Sequence, residues 1–168
     1  MTAIYPGSFD PVTNGHINIA RRGAATLGYV IVAVLDNPHK TPMFTIHERV
    51  ALLREVFAED ENIEVDSFSG LLADYVIKKG AKAIIRGLRS PEDLAKEMPY
   101  ANWNRQITAG LAQSVETLYF TTEPCLAHIS GSIIKEAAAH IFAGGLDDTA
   151  IARAVPASVL AALRDKLV

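Results

Sequence analysis

Two hydrophobic rhythms alternate along this chain. Tyr29-Val30-Ile31-Val32-Ala33-Val34-Leu35 is an unbroken apolar run rich in β-branched residues, the pattern of a strand covered on both faces. Ile17, Ile19, Ala20, Ala24 and Leu27 instead recur at the spacing of one helix face. The exchange repeats. Ala3-Ile4-Tyr5, Ile63 to Phe68, Ala83-Ile84-Ile85 and Thr117 to Thr121 read as four further strands. Helices are expected between them. Thr13 caps the first, which Gly28 ends, and Thr45 with Glu48 has the capping-box spacing of the second. A third runs from Leu71 to Lys79, and Ser90-Pro91 opens a fourth that fades near Thr108. Ser130 starts a fifth, Gly144-Gly145 breaks the chain, and Pro156 leads into a last amphipathic helix. Asp36 to Phe44 and Thr122 to His128 read as loops.

Strands alternating with helices imply right-handed crossovers and a parallel sheet. The expectation is a single α/β domain over residues 1–168, with a five-stranded parallel sheet and helices on both faces. A length of 168 residues with 49% hydrophobic content suits one core. The formal charge of −3 gives no case for a nucleic-acid or membrane partner, so anions must be held by a few local cations. Cys125 stands alone, which favours a reducing, cytoplasmic setting. No leader or membrane-spanning run is read.

In such sheets ligands gather at the carboxyl ends of the strands, and the candidate chemistry collects there. Tyr5-Pro-Gly-Ser-Phe-Asp-Pro-Val-Thr-Asn-Gly-His16 follows the first strand. Its glycines and prolines read as a turn that aims amides and a helix dipole at one point, an anion site. Ser8, Thr13 and His16 add two hydroxyls and an imidazole. Lys40 follows the second strand, Leu71 and Leu72 the third, Arg86 and Arg89 the fourth, Ser130 and Ser132 the fifth. Each has a bland alternative: a capping histidine, a turn serine, a solvated lysine or glutamate (Glu97), plain N-caps. Two guanidiniums around Gly87 at a strand end are less easily dismissed, because a polyphosphate needs them. His47, His140 and Cys125 lack metal-ligand spacing, so no protein-built metal site is expected. Gly-x-Gly-x-x-Gly, Walker-type and Gly-x-Ser-x-Gly patterns are all absent from the sequence.

Thr13-Asn14-Gly15-His16 resembles the (His/Thr)-x-Gly-His signature of nucleotidyltransferases with a Rossmann-like fold. The longer series is more specific. The segment ending at His16, Pro42-Met-Phe44, Glu48-Arg-Val-Ala-Leu52, Arg86-Gly-Leu-Arg89, Glu97-Met98 and Ile129-Ser-Gly-Ser-x-x-Lys-Glu136 occur in order. Together they resemble the bacterial phosphopantetheine adenylyltransferases over nearly the whole chain. The resemblance implies transfer of AMP from ATP to 4′-phosphopantetheine, giving dephospho-coenzyme A and pyrophosphate, with Mg2+ accompanying ATP. It implies catalytic roles for His16 and Ser8. Ser8, Lys40, Leu72 and Arg86 would hold phosphopantetheine. Ser8, Phe9, His16, Gly87, Leu88, Arg89, Glu97, Leu126, Ala127, His128, Ile129, Ser130, Gly131 and Ser132 would hold ATP. A homohexamer is implied too, with coenzyme A as a further candidate ligand. Gly131 stands where the family usually has a serine, Leu94-Ala95-Lys96 departs from its Phe-Glu-Tyr, and the stretch from Arg105 to Thr117 is somewhat longer than usual. Two rivals stay open: nucleotidyl transfer to another small phosphorylated acceptor, and a non-catalytic ATP-binding sensor.

Overall fold

The computed structural model describes residues 1–36, 41–110 and 114–168. Its strands are β1 (Thr2–Gly7), β2 (Tyr29–Asp36), β3 (Ile63–Ser69), β4 (Ala83–Leu88) and β5 (Glu116–Thr121). They pair in parallel in the order β3-β2-β1-β4-β5. The helices are α1 (Asn14–Leu27), α2 (Ile46–Val56), α3 (Leu72–Lys78), α4 (Pro91–Thr108), α5 (Gly131–Gly144), α6 (Thr149–Ala154) and α7 (Ala157–Leu167).

Side chains alternate across the strands, so the sheet feeds two cores. Ala3, Tyr5, Val30, Val32, Val34, Ala83 and Ile85 pack with α1, α2, α5 and α7 on one face. Ile4, Ile31, Ala33, Phe68 and Ile84 pack with Val76 of α3 on the other. The expected five-stranded α/β architecture is therefore the one present. Chain order builds β1, β2 and β3 outward on one side, then returns to lay β4 on the free edge of β1. The crevice between β1 and β4 is the topological switch point, where such folds bind ligands.

That crevice is opened by the sequence. The β1–β4 ladder pairs only Ala3 with Ala83 and Ile4 with Ile84. Beyond it Pro6 has no N–H to donate, and its carbonyl turns toward β4 and accepts from Arg86. Pairing of β1 with β2 continues to Gly7. The strand thus runs two residues past its expected end at Tyr5, because Pro6 lacks its N–H only on the side where the ladder has already parted.

Other boundaries differ from expectation. Arg86 lies inside β4 rather than after it, Asp36 belongs to β2, and α3 begins at Leu72. Ser90 occupies the N-cap of α4, but its side chain makes no capping bond; Asp93 accepts the Arg89 amide instead. Pro124–Leu126 forms a short 3-10 turn within the expected loop. Helix α6 was not expected at all.

Candidate functional site

Thr13 occupies the N-cap of α1, and the residue three positions on is His16. The pair forms a capping box with an imidazole where a Glu or Gln usually stands. The Thr13 hydroxyl accepts from the His16 amide at 3.4 Å, and the Thr13 amide donates to His16 Nδ1 at 3.1 Å. A ring nitrogen that accepts an amide proton carries none itself, so the ring proton sits on Nε2. Burial pushes the His16 pKa down to about 4, helped by the Arg89 charge. His16 is therefore a neutral donor at physiological pH. The capping reading of His16 is correct, and the cap leaves Nε2–H as the donor of the ring.

Ser8 and Phe9 make the turn before α1. Phe9 adopts φ +46°, and its ring is buried edge-on against Tyr5 and His16 at centroid distances of 5.5 and 5.2 Å. That packing fixes the imidazole plane. Gly7 is required beneath it, since a Cβ there would lie 2.9 Å from the Phe9 ring.

Two cavities meet at this turn. One, of about 250 Å³, is lined by Ser8, His16, Arg86, Arg89, Glu97 and Ser130 among others. The other, of about 200 Å³, is lined by Ser8, Asp10, His16, Arg49, Ser132 and Lys135 among others. Ser8 and His16 are the side chains common to both. A group held at that shared wall can be reached from two sides.

The cations are held in place. Arg86 pairs with Glu97 at 3.1 Å and donates to Pro6 O at 3.3 Å. Arg89 pairs with Asp93 at 3.0 Å. Both guanidiniums thus have carboxylate partners, and an anionic ligand must share them. Ser130 caps α5, accepting the Ile133 amide at 3.2 Å, so the helix terminus between Ser130 and Ser132 opens onto the two cavities. Gly131 lies against the turn after β1, where a Cβ would be 2.9 Å from Asp10 O.

Not every expected residue reaches these walls. Gly87 and Ile129 line the first cavity and Gly131 the second. Leu72 starts α3, Leu88 ends β4, and Leu126, Ala127 and His128 lie on the segment leading to Ser130; none of these lines either cavity. Lys40 lies outside the described residues. Sequence reasoning gave Asp10 and Arg49 no role and noted Lys135 only as a cation one turn beyond the Ser130 helix start. Asp10 is 7% exposed and accepts from Lys135 and from the amides of Met43 and Phe44 at 3.1 and 2.9 Å. Burial opposes its ionisation, but those donors outweigh burial and hold its pKa below the usual carboxylate value. No group of three or more His, Cys, Asp or Glu side chains suited to a metal occurs among the described residues. Among them, too, no helix is long and apolar enough to cross a membrane.

The cytidylyltransferase-like family model matches residues 4–137. The phosphopantetheine adenylyltransferase of Alkaliphilus metalliredigens is 50% identical over 135 residues, 80% of this chain and 83% of that one. Its counterpart in Heliobacterium modesticaldum is 43% identical over 164 residues, 98% of this chain and 91% of that one. Among solved structures, the lipopolysaccharide core biosynthesis protein of Thermoplasma volcanium superposes with a TM-score of 0.51 at 20% identity. It covers 73% of this chain and 98% of its own, a likeness of fold alone.

Proposed function

The chain belongs to the phosphopantetheine adenylyltransferases within the cytidylyltransferase-like family, and from that premise we propose which residues carry its reaction. The reaction is transfer of AMP from ATP to 4′-phosphopantetheine, giving dephospho-coenzyme A and pyrophosphate in coenzyme A synthesis. The observation that carries our assignment is that Ser8 and His16 form the common wall of two adjacent cavities.

An oxygen of the acceptor's phosphate attacks the α-phosphorus of ATP, and the bond to the bridging oxygen of pyrophosphate breaks. The nucleophile is already an anion, so no general base and no covalent intermediate is needed. Catalysis reduces to alignment and stabilisation of developing charge. His16 Nε2–H donates to the α-phosphate, and the Ser8 hydroxyl contacts both the transferring and the accepting phosphates. Arg86, with Leu72 and Lys40, serves the acceptor. Phe9, Gly87, Leu88, Arg89, Glu97 and the segment from Leu126 to Ser132 serve ATP, with Gly131 contributing backbone only. The Arg86–Glu97 pair then lies where the two substrates adjoin.

Magnesium enters with ATP in this reading, on the nucleotide's own phosphates. Asp10, the carboxylate on the second cavity's wall, is committed to Lys135 and two amides, and no step here is routed through the ion. Residues 1–168 act as one cytoplasmic nucleotidyltransferase domain that assembles as a hexamer. Met98, Tyr100 and Trp103 on α4, exposed by 49, 66 and 58%, support self-association. Coenzyme A occupies the same site as product-like ligand.

The test is pyrophosphate release from Mg-ATP with 4′-phosphopantetheine present or withheld, in wild type and His16→Ala. Release that requires both acceptor and His16 supports the assignment. Release with a different phosphorylated acceptor moves the protein to another substrate, and ATP binding without release for any acceptor points to a sensor.

A further inference from the structure

Pro42-Met43-Phe44 and Glu48-Arg49-Val50-Ala51-Leu52 belong to the ordered series of motifs, yet the roles above leave them idle. In the structure they hold the turn that carries Ser8. Met43 and Phe44 give their amides to Asp10. Arg49 does more. It is 3% exposed, and its Nη1 donates to Ser8 O at 2.9 Å and to Leu35 O at 3.4 Å. Its Nε donates to Thr45 O at 3.4 Å. One guanidinium ties the turn after β1, the end of β2 and the N-cap of α2 together.

These partners are all carbonyls. They satisfy N–H groups but do not cancel the charge, and the arginine–carboxylate pairs among the described residues all involve other arginines. Burying a guanidinium without a counter-ion is costly. The charge lies on the wall of the second cavity beside Ser8, His16 and the Asp10–Lys135 pair, whose carboxylate is already matched by its own lysine. There a bound phosphate supplies the missing negative charge, and the folding cost returns as anion affinity.

We propose that Arg49 is a positioning residue of the transfer reaction, fixing the Ser8 backbone and giving the phosphate cavity a built-in, unneutralised positive charge. This inference rests on the phosphate reading of that cavity. It acts through Ser8 and through its field, and it explains why an arginine occupies a buried position of α2.

The experiment compares wild type, Arg49→Lys and Arg49→Met in pyrophosphate titration calorimetry at increasing sodium chloride. Ligand-free thermal unfolding and steady-state kinetics are measured alongside. Arg49→Met is expected to weaken pyrophosphate binding at least about tenfold and to flatten its salt dependence. Arg49→Lys keeps the charge but loses the fork. It is expected to hold pyrophosphate within about threefold of wild type while kcat falls at least about tenfold and KM for ATP is little changed. A merely structural arginine would lower the unfolding midpoint without moving the salt slope or splitting kcat from KM. A folded Arg49→Met protein with wild-type pyrophosphate affinity overturns the proposal. If that variant does not fold, Arg49→Lys decides, and kcat within about twofold of wild type overturns it. If the wild type itself releases no pyrophosphate, the functional reading fails, while weakened pyrophosphate binding in Arg49→Met still supports the role of Arg49.

Discussion

His16 Nδ1 accepts the amide proton of Thr13 at 3.1 Å. The bond closes the N-terminus of α1 and fixes which ring nitrogen carries a proton. In the proposed reaction capping and catalysis share this one interaction, and they can be separated by measurement. His16→Ala removes the Nε2 donor and leaves the Thr13 amide unsatisfied. We expect kcat to fall by roughly 10²–10³ and stability by about 0.5–2 kcal/mol, with ATP affinity within about threefold of wild type. Single-turnover kinetics and denaturant melts test both halves. Near-normal turnover would remove His16 from the mechanism.

The surroundings of the same ring predict a pH effect on folding. The His16 pKa lies at about 4 in the folded protein, lowered by burial first and the Arg89 charge second, against about 6.5 unfolded. Between those values the unfolded chain binds more protons, so stability is complete above the unfolded value and is lost as pH falls toward 4. The loss from this residue is at most about 3 kcal/mol. His16→Ala should flatten that part of the stability profile. An unchanged slope between pH 6.5 and 4 would contradict a neutral, half-buried imidazole.

Gly131 sets how closely α5 approaches the turn after β1. A Cβ there would meet Asp10 O at 2.9 Å and Pro11 O at 3.4 Å, both backbone atoms. Gly131→Ala should therefore cost about 1–3 kcal/mol and lower kcat by displacing the helix terminus from the cavity. Gly131→Ser, which restores the family's usual hydroxyl, should not regain activity. A serine variant faster than wild type would show that the missing hydroxyl mattered more than the close approach.

Tyr119 stands beside Arg86 in the β4–β5 register, and its hydroxyl is buried without a hydrogen-bond partner among the described residues. A buried hydroxyl that makes no bond carries its desolvation penalty for no return. Tyr119→Phe should leave stability unchanged or raise it by about 1 kcal/mol, as read in urea unfolding. A clear loss of stability would mean that the hydroxyl is bonded in solution.

Strand cores were legible in the sequence because a strand buried on both faces must be apolar at every position, as Val30 to Val34 are. Strand ends were less so. Pro6 and Arg86 read as punctuation, yet both lie in strands because the sheet splits between β1 and β4, a fact of pairing that no single strand records. Helix α6 escaped because it has six residues, no side-chain cap and only Ile151 and Ala154 buried. At the site, Ser8 and His16 stood out through their place after the first strand, although a turn serine and a capping histidine were equally open readings and His16 does cap α1. Arg49 did not stand out. An arginine on a helix ordinarily reads as solvated, and only the tertiary arrangement shows it buried under Ser8. The roles given to Leu72 and to the segment from Leu126 to His128 rest on family likeness, as those residues line neither cavity.

Lys135 and Asp10 provide the last test. Their ion pair joins α5 to the turn after β1, and the Asp10 side chain is only 5% exposed while that of Lys135 is 28% exposed. Removing the lysine alone leaves a buried carboxylate with two amides and no cation. Lys135→Met should cost about 3–5 kcal/mol. Asp10→Asn should cost less, because the half-buried lysine can reach water while the Asn carbonyl still accepts one amide. If the loss in Lys135→Met comes from a stranded charge, the double variant should be more stable than Lys135→Met alone. Acid adds an independent reading. The Asp10 pKa is lowered in the folded state, so its contribution is present above the unfolded carboxylate value and disappears as pH falls below it. Asp10→Asn should remove part of the acid-induced loss. Strictly additive single and double variants would show instead that the two side chains stabilise the fold separately, and that the junction between α5 and the Ser8 turn is held by packing.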